Sequence, residues 1–289
     1  MSPPAASTSA TLTALFTIGV GGYLAVCAAM WAMQERLMFP LAFAGQEAAA
    51  LASDEVNAAR LGARVRSLTT VDGARVLSWH YGLPEGARAG VVLYVGGNAE
   101  HVVSSVGLAR ALAEQGWELF VLVPRGYPGS EGDPSEAAFE QDMRAAWSYL
   151  TGTLAVPPAN VVLHGRSLGG GIIGTVIDEV RPGAVVFEST FDSIAAVAAD
   201  TYPVLPVQTL IRNRFDTAVR AQHLECPTLV VHARTDEVVP FARGEALAGA
   251  LRSPTVVFTS SGSHQQSLLL SNPEAHAAWR ALLAGRAAR

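Results

Sequence analysis

The chain has 289 residues, half of them hydrophobic, and a formal net charge of −5. That length allows one large α/β domain with a short appendage, and the acidic balance, with no arginine stripe, leaves no footprint for nucleic acid. All 20 basic side chains are Arg, so chemistry needing a Schiff-base or phosphate-loop lysine is excluded. Two cysteines, Cys27 and Cys226, are too few for a disulfide framework or a cysteine metal site.

Residues 1–11 read as an N-terminal tail. Leu12 to Met33 then carries no charge, and Glu35 is the first charged side chain. As a helix this span measures about 33 Å at ~1.5 Å per residue, enough to cross a hydrocarbon core of ~30 Å. Trp31 and Phe39 near its end suit the membrane interface. The tail lacks the Lys or Arg of a cleaved signal peptide, and Val26 is bulky for a lipoprotein signal before Cys27. The expectation is an uncleaved, single-pass transmembrane helix over 12–33. Arg36 favours a cytoplasmic catalytic domain under the positive-inside rule; one nearby arginine leaves the membrane side open.

Residues 34–62, rich in Ala and acidic groups from Leu41 to Arg60, read as a linker or short surface helix. The remainder, 63–289, alternates strand and helix patterns. Val65–Thr70 and Arg75–Tyr81 flank the turn Asp72-Gly73 and read as two strands pairing antiparallel at an edge. Val91–Val95, Leu119–Val123, Val161–His164, Ala184–Glu188, Thr228–His232 and Thr255–Thr259 read as further strands. Helical patterns fall over Val102–Gln115, Ser135–Leu150, the segment after Ser167, Phe241–Leu251 and Pro273–Leu283. Alternation of this kind predicts an α/β fold with a mostly parallel central sheet covered on both faces. Residues 192–224 break the rhythm. Tyr202-Pro203-Val204-Leu205-Pro206 carries two prolines in apolar surroundings and cannot be regular helix. This segment reads as a small cap, with Tyr202, Val204, Leu205 and Leu210 as candidate substrate lining.

The chemistry centres on Gly165-Arg166-Ser167-Leu168-Gly169, at a strand end before a helix. Glycines flanking the serine permit a turn too sharp for a Cβ, which leaves the hydroxyl exposed at the sheet's end. A serine hydroxyl needs a base to take its proton, and the base needs an orienting acid. Two later strands end in polar loops that supply them: Asp236 after Thr228–His232 and His264 after Thr255–Thr259. Glu188, ending the strand before, is the rival acid. The glycine-rich loop Gly96-Gly97-Asn98, after Val91–Val95, and the residue after the serine, Leu168, would donate backbone N–H groups to an oxyanion. His101 lies near the mouth of the site as a possible substrate contact. Arg166 has no evident role.

With these residues together, the chain resembles the α/β-hydrolase superfamily, and within it the serine-aminopeptidase-like branch that includes N-terminally membrane-anchored members. The resemblance runs from about Trp31 to His264. It includes Gln34-Glu35-Arg36-Leu37-Met38-Phe39-Pro40, Thr70-Val71-Asp72-Gly73, Gly97-Asn98-Ala99, Arg125-Gly126-Tyr127, Glu188-Ser189-Thr190-Phe191 and Arg214-Phe215-Asp216. The chain departs from it at Gly96, where a histidine is usual, and at Gln265-Gln266, where a polar pair such as Asn-Asp is usual. The resemblance implies cleavage of esters, thioesters or lipid acyl groups through an acyl-enzyme, without cofactor or metal, by Ser167, His264 and Asp236 with Asn98 and Leu168. A peptidase or amidase using the same triad, and a non-catalytic membrane scaffold of the same fold, are the alternatives.

Overall fold

A computed structural model gives the architecture, with residues 8–43, 50, 53–84 and 86–287 described; most of the tail and parts of the expected linker lie outside them. Helix α1 (Thr8–Met38) has 31 residues and runs five residues past Met33. The physical stop is Pro40, which disfavours helical backbone just before it, and Gln34, Glu35 and Leu37 are good helix formers. Most of its side chains are exposed from Leu12 onward, and Leu12–Met38 is long and apolar enough to cross a membrane.

The expected linker is in part built into the domain. Phe39 is fully buried, edge-on to Phe139 at 5.3 Å and to Phe215 at 6.4 Å. Helix α2 (Glu55–Arg60) starts at Asp54, whose carboxylate accepts from Val56 and Asn57 N–H, the usual N-cap arrangement.

Strands β1 (Arg64–Thr69), β2 (Arg75–Tyr81), β3 (Gly90–Val95), β4 (Trp117–Val123), β5 (Val161–Arg166), β6 (Ala184–Glu188), β7 (Thr228–Ala233) and β8 (Thr255–Thr259) form one sheet in the order β1-β2-β4-β3-β5-β6-β7-β8. β1 and β2 pair antiparallel, β2 meets β4 antiparallel, and every later pairing is parallel. Successive residues of the inner strands bury on opposite faces, as a period of two requires. Val91, Leu93, Val161, Leu163, Val185 and Phe187 join one core; Val92, Val162, Ala184 and Val186 join the other.

Helices α3 (Val106–Ala113), α4 (Glu136–Ser148) and α5 (Leu168–Gly174) follow β3, β4 and β5. Ser135 caps α4 by accepting from Ala138 N–H. The cap segment carries three short helices, α6 (Ile194–Thr201), α7 (Val207–Leu210) and α8 (Thr217–Ala221), and the chain between α6 and α7 is the proline-bearing turn. Helices α9 (Phe241–Ala250), α10 (Leu268–Ser271) and α11 (Pro273–Ala287) complete the chain.

Candidate active site

β5 lies between β3 and β6, so the loop after it opens among the C-terminal ends of the parallel strands. Ser167 sits there with φ of 52°, a conformation strained for a residue with a Cβ. Glycine is required on both sides. A Cβ on Gly165 would lie 2.4 Å from the Gly169 carbonyl oxygen, and one on Gly169 would lie 1.9 Å from the Val95 carbonyl oxygen. Thr190 Oγ1 donates to the Ser167 carbonyl at 2.7 Å and pins the turn.

Three side chains from three loops meet at this point. Ser167 Oγ is 2.9 Å from His264 Nε2, and His264 Nδ1 is 2.8 Å from Asp236 Oδ2. Asp236 Oδ1 also accepts from Val238 and Val239 N–H at 2.9 and 2.8 Å. Its carboxyl is fully enclosed. Burial opposes its ionisation, yet the bonds from His264, Val238 and Val239 outweigh that and hold its pKa below the ordinary value. An ionised Asp236 accepts only, so it accepts a hydrogen bond from Nδ1–H, which keeps that proton on Nδ1 and leaves Nε2 free to accept from the serine.

Glu188, the rival acid, does not meet His264. Its Oε2 lies 3.0 Å from His164 Nε2, and its Oε1 accepts from Ser267 Oγ at 2.8 Å. Burial works against its charge, but His164, Arg166 and Ser267 lower its pKa overall. His232 is likewise committed, bonding the Val239 carbonyl through Nε2 at 3.0 Å, and burial pushes its pKa down.

On the other side of Ser167 stands the loop after β3. A Cβ on Gly97 would come within 3.4 Å of Ser167 Cβ, so the loop backbone approaches the serine closely. The Asn98 side chain is occupied: its amide donates to the Met38 carbonyl at the end of α1, and its Oδ1 accepts from Tyr127 Oη at 2.6 Å. Burial pushes the Tyr127 phenol up, so it stays a donor. Among the described residues the Asn98 N–H has no acceptor. Asn98, Ser167 and His264 border one cavity of about 400 Å³. Leu168 opens α5, its N–H in the first turn beside the serine, where helix N–H groups lack intrahelical partners.

Two supports were not evident from sequence. Arg166 Nη1 bonds Glu100 Oε2 at 2.8 Å, and its Nη2 donates to the His264 carbonyl. Glu100 in turn accepts from Gly97 N–H at 3.0 Å and from Tyr94 Oη at 2.9 Å. Arg166 thus ties the glycine loop to the histidine loop. Its burial disfavours the cation, but Glu100 and Glu188 raise its pKa overall. Glu237 steadies the same histidine by accepting from its backbone N–H at 3.0 Å and from Ser263 Oγ at 2.7 Å. Neither Arg166 nor Glu237 carries a local sequence signal for this role.

The substrate-lining candidates of the cap lie elsewhere. Tyr202, Leu205 and Leu210 border a groove between the cap and α1, not the cavity at Ser167, and Val204 is 78% exposed. Proline-directed turning aims this stretch at α1: Tyr23 Oη donates to the Val204 carbonyl at 2.9 Å. His101 borders a smaller recess with Gly97, Tyr127 and Leu168, which shares Tyr94, Gly97, Glu100 and Ser105 with the lining of the Ser167 cavity. Among the described residues no three His, Cys, Asp or Glu side chains stand close enough to share a metal ion.

The chain matches no family model. It is 33% identical to the uncharacterized protein Rv2307c of Mycobacterium tuberculosis over 202 residues, 69% of this chain and 72% of that one. It is 28% identical to the α/β hydrolase domain-containing protein WAV2 of Arabidopsis thaliana over 282 residues, covering 89% of this chain and 90% of that one. The lysophosphatidylserine lipase ABHD12 of Danio rerio is 29% identical over 180 residues, 54% of this chain and 46% of that one. Among solved structures, an α/β hydrolase from Vibrio vulnificus superposes with a TM-score of 0.67 at 18% identity, covering 86% of this chain and 92% of that one. The chain belongs to the α/β-hydrolase superfamily.

Proposed function

We propose that this protein is a membrane-anchored serine hydrolase that cleaves carboxylic ester, thioester or lipid acyl bonds through an acyl-enzyme. The observation that carries the reading is the hydrogen-bonded series Ser167–His264–Asp236, at 2.9 and 2.8 Å. Ser167 Oγ attacks the acyl carbonyl while its proton passes to His264 Nε2. Asp236 holds the imidazole in the needed tautomer and stabilises the imidazolium. The oxyanion is held by the N–H groups of Leu168 and Asn98. Collapse of the tetrahedral intermediate expels the alcohol or thiol, which takes the proton from His264. Water then attacks the acyl-enzyme by the same route. Anchoring rests on α1, long and apolar enough to cross a membrane. The lipase named among the relatives and the anchor together favour an acylated, lipid-like substrate.

The test is turnover of p-nitrophenyl esters of graded chain length by the full chain in detergent. The wild type should hydrolyse them, and Ser167→Ala should lose at least about 10³-fold in kcat. Equal turnover by the two proteins would refute the assignment.

A further inference from the structure

The last turns of α1 do not stand free of the hydrolase domain. A groove of about 260 Å³ lies between them and the cap, with Met30, Trp31 and Leu37 on the helix side and Ala198, Leu205 and Leu210 opposite. Two of its polar side chains are already spent. Gln34 Nε2 donates to the Trp31 and Leu210 carbonyls, and its Oε1 accepts from Arg212 N–H. Thr201 Oγ1 donates to the Val197 carbonyl. Apart from the Trp31 N–H and the Tyr202 hydroxyl the rest of the lining side chains are apolar, so what the groove takes is hydrocarbon.

Its level on the helix says where that hydrocarbon comes from. Crossing the core of a bilayer takes about 20 residues, and counted from Leu12 these end near Trp31. The Arg212 guanidinium lies 4.7 Å over the Trp31 ring and pairs with Glu35, an aromatic and charged belt of the kind found where hydrocarbon meets headgroups. The groove begins at that level, and Tyr202 and Val204, 41% and 78% exposed, stand beside it. At about 260 Å³ it is smaller than the ~300–1,000 Å³ of a pocket for a whole drug-sized ligand, which suits one chain and not an entire lipid.

We infer that this groove is a lipid-binding site, distinct from the cavity at Ser167, that takes one acyl chain of a bilayer phospholipid. The inference rests on the reading of α1 as a membrane anchor. The groove and the Ser167 cavity share no lining residue, so the chain held here is not the one cleaved. Met38 joins the two places: it lines the groove, and its carbonyl accepts from the Asn98 side chain. A filled groove therefore braces the glycine loop beside the serine.

The experiment reconstitutes the full chain in phosphatidylcholine vesicles containing a trace of phosphatidylcholine with a diazirine near the end of one chain. After irradiation, labelled peptides are mapped. Label is expected on the cap between Ile194 and Ile211 as well as on α1. Ala198→Trp and Met30→Trp, fillers from opposite walls, should each lower cap labelling about tenfold, since an indole displaces at least two methylenes at ~0.8 kcal/mol each. Thermal melting identifies a filler that has not folded, and the other then decides. Ser167→Ala should label like the wild type, because the probe is bound and not turned over. Label confined to α1, or cap label unchanged in a folded filler, would overturn the inference. So would cap label lost on blocking Ser167 with a fluorophosphonate, which would put the chain in the Ser167 cavity. If ester turnover fails while cap labelling holds, only the hydrolase reading falls; the reverse result removes only the groove.

Discussion

Replacing Arg166 by Met removes half of a buried ion pair while keeping most of its volume. The Arg166 and Glu100 side chains are 9% and 13% exposed and 2.8 Å apart. Without the guanidinium, Glu100 keeps the Tyr94 hydroxyl and the Gly97 N–H but faces the interior as a charge without its counter-ion. The His264 carbonyl loses a donor as well. Deleting one partner of a buried pair costs about 3–5 kcal/mol, whereas removing both charges leaves none uncompensated. Arg166→Met with Glu100→Gln should therefore be more stable than Arg166→Met alone, by about 1–3 kcal/mol, the coupling seen between contacting residues. For a chain of this size each kcal/mol moves Tm by about 2–4 °C, so the double variant should melt about 2–12 °C above the single one. The assay is thermal melting of the full chain in detergent, with ester turnover read alongside. Both variants should lose kcat, because the pair also ties the Gly97 loop to His264. A double variant that melts at or below Arg166→Met would refute the claim that the pair is buried and coupled.

Three further outcomes follow from the geometry. Asp236→Asn should lower kcat by about 10³–10⁴ through the wrong imidazole tautomer, while Glu188→Gln, bonded to His164 and Ser267, should chiefly lower Tm; the opposite ranking in kcat would make Glu188 the acid. The folded-state pKa values of Asp236 and Glu188 lie below their ordinary values, so the unfolded chain binds more protons in acid. Their stabilising contribution is complete above about pH 4.5 and is lost as pH falls through the folded values. Melting across that range should fall less steeply in Asp236→Asn than in the wild type, and equal slopes would contradict the ionised Asp236. Phe39→Ala should cost about 3–5 kcal/mol in urea unfolding, because the ring is fully buried between Phe139 and Phe215; a change under about 1 kcal/mol, as for surface substitutions, would mean the segment after α1 is a loose tether.

The sheet was legible because buried parallel strands write themselves as short β-branched runs, as in Val91–Val95 and Val161–Leu163. The elbow was legible because only glycine fits at positions 165 and 169, where a Cβ would strike the backbone. The loops carrying Asp236 and His264 could be ranked by chain order alone, and the structure brings both side chains to Ser167. Arg166 was opaque for the opposite reason. Its partners Glu100 and His264 lie 66 and 98 residues away, and no local pattern encodes such pairing. Leu12–Met33 was read as the membrane span because Glu35 ends its charge-free run; the helix itself continues to Met38, before its breaker, Pro40. Tyr202 and Leu205 were read as substrate lining from apolar character, which does not say what lies beside a side chain; both border the groove next to α1.

Whether Ser167 is a nucleophile is decided most directly by treating the folded full chain with a fluorophosphonate and mapping the adduct. Cleavage after arginine releases a peptide that begins at Ser167. One adduct per chain on that peptide, absent in Ser167→Ala, is the predicted result. No adduct on the folded wild type, or an adduct that persists in Ser167→Ala, would contradict it.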